Sequence, residues 1–578
     1  MGECGTTRAP QSGMRSSFRP AGLLIAAASI ALGACSSAAQ DDAGSDQGEI
    51  VQASSTPTLC AAVRGNGESI LTHFASLSRI VEHYGVVDGM AGGSSGSITT
   101  FTYESMLKNQ AVHRCGDRRC DADAEAARVA LALKSVQGYA NVVGDSDEAV
   151  SIKGLAATAA KLKADYAAKG IGALGTAESL EAAKRLKEVL SVPEVRAIVN
   201  PEVFTMLADV THLSFNVAEI KTSISQLGAF SVDDNRLFFR AGVLNWPELA
   251  SLFGRVGDFY AGYGPSDKAG MTSWLDACAE STRDKPWSEA ADVAVPSGGT
   301  CGSVFEALVK DYRAKARAAE GTYPSRIDEM AGDPKSPLHK LVSTAVLERD
   351  AVTKYKAARA RYVTGEIATG SIPFDPAFSD VNFGYWGSDA DIAKVQENDQ
   401  RFDDLKTKKF SSLGNAPWRQ ILAASPAEPG LSRFVELADG RFSAGGWADL
   451  APALVLKNLG CEHVVYVTRE GDESGFATKI AKNAGMSEGD WKNLYDLSNE
   501  SSGYARSVAA ADGVWCTNWN GFTDAQMSDE VLDSFNAPFE TRSSFANVSV
   551  LHPYSRTTDK SGKAGCTPGV SAGATYPQ

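Results

Sequence analysis

Val86-Val87-Asp88-Gly89-Met90-Ala91-Gly92-Gly93-Ser94-Ser95-Gly96-Ser97-Ile98 is the stretch on which the reading of this chain turns. Val86 to Ala91 reads as a short buried strand. Gly92-Gly93-Ser94-Ser95-Gly96 is a sharp turn, and Ile98, Phe101, Met106 and Leu107 then recur at helical spacing. Strand, G-x-S-x-G, helix is the arrangement of a nucleophile elbow. Gly92 and Gly96 permit the tight turn and close packing. The turn lifts Ser94 Oγ above the sheet, and the helix N-terminus favours developing negative charge. A bare G-x-S-x-G is a weak signal; its place between strand and helix gives it weight. The competing reading is a glycine-rich turn without chemistry.

Upstream, Leu59 to Val63 is a short apolar run, and Arg64-Gly65-Asn66-Gly67-Glu68 is a glycine-bearing turn. Ile70, Leu71, Phe74, Leu77, Ile80 and Val81 follow at helical spacing, and Gly85 closes that helix. The order strand, helix, strand, helix predicts a parallel α/β sheet. Downstream, residues 121–400 change character. Alanine, lysine, glutamate and leucine dominate stretches such as Leu155 to Leu190 and Ala345 to Val363, which predicts a large helical insertion or lid. The α/β pattern returns in 401–578. Phe434 to Leu437 and Arg441 to Ala444 read as strands around Asp439-Gly440. Pro452 to Leu459 reads as a helix capped by Gly460, and Val464 to Val467 as a buried strand.

The 578 residues are 43% hydrophobic, enough for a large core, and the net charge is −14. An acidic balance without basic clusters argues against a nucleic-acid partner. Residues 1–35 read as a targeting segment. Arg15 and Arg19 precede an apolar run from Ala21, which ends in Leu32-Gly33-Ala34-Cys35. That run resembles a bacterial lipobox, with Cys35 as the lipidated residue. Residues 36–58, rich in Ser, Ala, Asp, Gly and Gln, read as a flexible tether. The expected location is the cell envelope, lipid-anchored at the outer membrane or periplasmic face.

Ten cysteines minus Cys4 and Cys35 leave eight, an even number suited to an oxidising compartment. Cys278 with Cys301 is the leading disulfide candidate. Cys115 with Cys120 and Cys516 with Cys566 are others, while Cys60 and Cys461, each beside an apolar run, read as buried thiols. No Cys-x-x-Cys pair points to zinc, and no metal or other cofactor is implied.

The elbow block Ala91-Gly92-Gly93-Ser94-Ser95-Gly96, and its distance from Gly65-Asn66-Gly67, resemble the patatin-like phospholipase family. The resemblance implies a three-layer α/β core of 59–120 and 401–578, split by the helical insertion. It also implies a Ser–Asp dyad without histidine, and an oxyanion hole formed by backbone amides of Gly65, Asn66 and Gly67. The family's three consecutive glycines are interrupted here by Asn66. Gly445-Gly446-Trp447-Ala448-Asp449-Leu450-Ala451-Pro452, followed by Leu459-Gly460, resembles the family's second block. Yet Ala444 stands where that block carries its aspartate.

Two nearby acids are candidates for the base. Asp439 precedes Gly440, although Asp-Gly between apolar runs also makes a hairpin turn. Asp449 precedes the next helix, where aspartate is also a common N-cap. None of the seven histidines lies in a recognisable catalytic motif. The acidic pairs Asp233-Asp234, Asp403-Asp404 and Asp389 with Asp391 lack EF-hand spacing and read as solvated loops. Trp515, Trp519 and Phe522 read as local packing rather than an acyl site. The expectation is therefore a serine acyl hydrolase acting on carboxylic esters of lipids. The alternatives are a non-catalytic surface lipoprotein that keeps the scaffold, or a serine esterase or peptidase with a distant histidine.

Overall fold

The computed structural model describes residues 57–65, 70–144, 245–265, 268–319, 323–354, 357, 382–398, 410–427, 434–449, 452–468, 507, 510–516 and 550–551. Cys35, residues 36–56 of the tether, Leu155 to Leu190, Trp519, Phe522, Cys566 and two of the acidic pairs lie outside them; Thr58, placed in the tether, instead donates its N–H to the Asp88 carboxylate next to β1.

The described elements begin with β1 (Leu59–Val63), α1 (Ile70–Tyr84), β2 (Gly89–Gly93), α2 (Ser95–Lys108) and a two-strand ribbon, β3 (Arg114–Cys115) with β4 (Arg118–Arg119). Next come α3 (Ala122–Gly144), α4 (Trp246–Ala261), α5 (Lys268–Cys278), α6 (Cys301–Ala318), β5 (His339–Leu347), β6 (Asn382–Gly387) and α7 (Asp389–Glu397). The second part holds β7 (Phe410–Gly414), α8 (Trp418–Ala424), β8 (Val435–Glu436), β9 (Phe442–Ser443), α9 (Ala453–Leu459), β10 (His463–Thr468), β11 (Gly513–Cys516) and β12 (Val550–Leu551).

One sheet runs β12-β11-β10-β1-β2-β5-β6-β7, with the β8–β9 hairpin attached to the end of β5. From β12 to β5 every pairing is parallel; β6 runs antiparallel to β5. Parallel strands covered on both faces should be apolar almost continuously rather than alternating. Leu-Cys-Ala-Ala-Val in β1 is buried at every position, and β5 at all but its first. Helices flank the sheet: α1, α2 and α9 lie against β10, β1 and β2, and α7 lies against β5, β6 and β7. The α/β class and the mostly parallel sheet agree with the sequence reading.

Gly85, in a left-handed conformation at φ 98, ends α1, and Gly460 does the same for α9. Three expectations need correction. Residues 121–400 are not helical throughout, because β5 and β6 fall inside them and β5 pairs directly with β2. Ala345 to Leu347 accordingly belong to a strand, not to a helix. Cys60 and Cys461 are not thiols: they form a disulfide across 401 residues, joining the starts of β1 and β10. Parallel pairing brings these two positions together, which local sequence does not reveal. The pairings Cys115–Cys120 and Cys278–Cys301 are present as expected.

Candidate active site

The elbow is built as its sequence requires. β2 ends at Gly93 and α2 begins at Ser95, leaving Ser94 at φ 53 and ψ −125. That region is essentially reserved for glycine, and a side chain held there costs on the order of 1–3 kcal/mol. Only Asp284 shares a positive φ among the described non-glycine residues. Ser94 is 6% exposed. Its backbone N–H donates to Ser425 Oγ at 3.0 Å, and Ser425 Oγ donates to the Ser343 carbonyl at 2.8 Å. The Ser94 hydroxyl makes no hydrogen bond among the described residues.

Two glycines let other segments reach the elbow. A Cβ on Gly96 would sit 2.6 Å from the Val63 carbonyl oxygen, so the end of β1 packs directly on the first turn of α2. This brings Arg64 and Gly65 beside the elbow; Asn66 and Gly67 lie outside the described residues. On the other side a Cβ on Gly446 would overlap the backbone N of Ser94. Gly446 N–H also donates to the Ser425 carbonyl at 2.6 Å. The segment Gly445-Gly446, some 350 residues away in sequence, is therefore pressed against the nucleophile turn.

Ala444 is fully buried and its N–H donates to the Ala345 carbonyl, while Gly445 accepts from Ala345 N–H. A 3₁₀ turn, Gly446–Asp449, follows. Three residues of such a turn rise about 6 Å, which sets the separation of Asp449 from Gly446. Asp449 is 9% exposed and accepts a hydrogen bond from the Tyr385 hydroxyl.

Asp439 stands elsewhere. β9 joins β5 at Val346 and Leu347, beyond Ser343, the residue aligned with Gly93. Asp439 lies past that point in the exposed β8–β9 turn, ion-paired to Arg441 at 2.6 Å. Burial pushes its carboxyl up, but the hydrogen bonds from Arg441 outweigh this and hold it below the usual carboxylate range.

The bonds recorded for the described histidines go to residues other than Ser94. His73 bonds Thr99, His113 bonds Glu125, and His339 bonds Asp391. His339 aligns with Gly89 and His463 with Leu59, so both sit where their strands start, at the end of the sheet opposite Ser94. Glu82, His83 and Asp284 are close enough to hold a cation, but Lys134 and Arg79 already pair with the Glu82 carboxylate.

Sequence reasoning missed Ser343, Tyr385 and Ser425. Tyr385 has one usable signal, the aromatic run Asn-Phe-Gly-Tyr-Trp-Gly, which reads as a buried strand. Comparison with family models, with curated proteins and with solved structures finds no match to this chain.

Proposed function

We propose that the protein is a serine acyl hydrolase of patatin-like type, with Ser94 as nucleophile and Asp449 as base. The observation that carries this reading is the conformation of Ser94, a buried serine at φ 53 between a central parallel strand and a helix. Strain of this kind persists where the surroundings over-determine it, and it clusters at active sites. The packing of Gly446 on the elbow supports the second half: it brings the segment resembling the family's base-bearing block to the nucleophile. Asp449 is preferred to Asp439 because it is buried one turn from Gly446, whereas Asp439 is committed to Arg441 in an exposed turn.

In the proposed reaction Ser94 Oγ attacks the acyl carbonyl carbon and its proton passes to the Asp449 carboxylate. The developing oxyanion is held by the Ser95 N–H and by amides of the loop that starts at Gly65. The C–O bond to the alcohol breaks, and the leaving alkoxide takes the proton. Water, deprotonated by the same carboxylate, then cleaves the acyl-serine. Lipid carboxylic esters are the proposed substrates, reached from a lipid anchor at Cys35. The disulfides among the described residues fit an oxidising, extracytoplasmic compartment.

The test is labelling of the folded protein with a fluorophosphonate, together with hydrolysis of short and long acyl esters. Wild type should label and turn over, and Ser94→Ala should do neither. Ala444, and a Ser94 hydroxyl without a hydrogen bond among the described residues, favour a second reading, a non-catalytic scaffold. Absence of labelling and turnover in wild type would decide for it.

A further inference from the structure

Gly93 of β2, Ser343 of β5 and Tyr385 of β6 are direct register partners across three adjacent strands. Partners in register share a face of the sheet, and strands lie about 4.8 Å apart, so Tyr385 stands about 10 Å from the elbow. The Ser343 side chain occupies the space a Cβ on Gly93 would take, and the Gly446 backbone borders the same space. The Tyr385 hydroxyl therefore reaches Asp449 on the face where Gly446 covers the elbow.

Resting on the function proposed above, we propose that Tyr385 is the positioning residue of the base, donating its phenolic hydrogen to Asp449 so that the carboxylate stays ionised and fixed in direction. Tyr385 is fully buried, and its ring stacks on Phe410 with centroids 5.3 Å apart and planes 15° from parallel. The ring cannot swing without leaving that stack, so the phenol oxygen is a fixed point. Burial, and then the Asp449 charge, raise the phenol pKa well above its ordinary value, so the group is a permanent donor at working pH. A buried carboxylate without such a donor holds its proton more tightly. This arrangement also accounts for a base displaced from position 444. Ala444 is enclosed in the β9–β5 ladder, whereas at position 449 the carboxylate meets the Tyr385 hydroxyl.

The experiment is the pH dependence of the fluorophosphonate labelling rate in wild type, Tyr385→Phe, Phe410→Leu, Asp449→Asn and Ser94→Ala, each checked for folding by circular dichroism. Tyr385→Phe keeps the stacked ring. It should move the acid limb up by about one pH unit, lowering the rate by up to about tenfold on the limb and leaving the plateau above it unchanged. Phe410→Leu keeps the phenol but frees the ring, and should move the limb the same way by less. Asp449→Asn should remove the limb. A Tyr385→Phe profile that coincides with wild type, or that falls equally at every pH, overturns the inference and leaves the nucleophile assignment standing. Labelling that survives Ser94→Ala, or is absent from wild type, overturns the function itself and this inference with it.

Discussion

The two ends of α2 are built on opposite principles. At the N-terminus Ser94 holds a glycine-like backbone conformation, and its hydroxyl is unbonded among the described residues. Toward the C-terminus Glu104 is fully buried and both of its carboxylate oxygens are engaged. Its carboxylate receives Ser336 Oγ at 2.6 Å, Lys340 Nζ at 2.8 Å and Trp418 Nε1 at 3.0 Å, and pairs with Arg326. One turn on, Lys108 pairs with Glu329 and Asp333, and Arg326 lies over the Phe101 ring. Three cations and three carboxylates balance there. The difference shows how a strained turn is kept: the helix carrying it is clamped at its far end by charges that cannot separate without being buried unpaired.

The sharpest way to break this contrast is to remove the clamp. Glu104→Ala leaves Lys340 buried without its carboxylate partner and Arg326 with Glu329 alone, and should cost about 3–5 kcal/mol in urea unfolding. A loss under about 1 kcal/mol would show that the network does not anchor the helix. The same carboxylate fixes a pH dependence. Burial pushes Glu104 up, but Arg326, Lys340 and Lys108 more than offset it and hold it at about 2. A depressed folded value contributes stability that is present above the unfolded value and lost as pH falls toward 2.

Asp258 in α4 has the opposite sign and sharpens the comparison. It accepts hydrogen bonds from Ser325 Oγ and from the backbone N–H of Arg326, orienting a member of the clamp. Burial raises it to about 6 despite those bonds. Its contribution is therefore full below about pH 4 and lost as pH rises through about 6, on the order of 2 kcal/mol. Asp258→Asn should flatten that part of a plot of Tm against pH, and an unchanged slope would remove Asp258 as its source. The smallest effect belongs to the strained end. Ser94→Gly relieves the φ of 53, partly offset by glycine's larger unfolded-state entropy. A net gain of about 1 kcal/mol is expected, together with complete loss of labelling. A destabilised glycine variant would mean that the turn carries no strain.

The elbow, α1 and the β8–β9 hairpin were legible because glycine punctuation and local periodicity specify them within a dozen residues. β5 and β6 were not, since a strand buried on both faces has no alternation, and theirs are set among alanine- and lysine-rich helices. Glu104 and Lys108, four residues apart on a helix, have the spacing common to exposed ion pairs. Only the partners Arg326, Lys340 and Trp418, more than 200 residues away, make them interior. The aromatic run around Tyr385 marks only a strand: the residue's meaning lies in register with Ser343 and in contact with Asp449, and neither is a property of neighbouring sequence.

The adjacency of β1 to β10 has a consequence for how the molecule is made. Val63 aligns with Val467, and Cys60 is joined to Cys461. The centre of the sheet therefore cannot close until more than four hundred residues of chain have been synthesised and delivered. Until then β1 presents an unpaired apolar edge, the kind of surface that aggregates or recruits a chaperone. Loop closure on this scale slows folding. The thiols must also wait, unpaired, beside cysteines much nearer in sequence. An oxidant acting too early would trap the wrong partners, so the chain's maturation depends on the timing of thiol oxidation as much as on its presence.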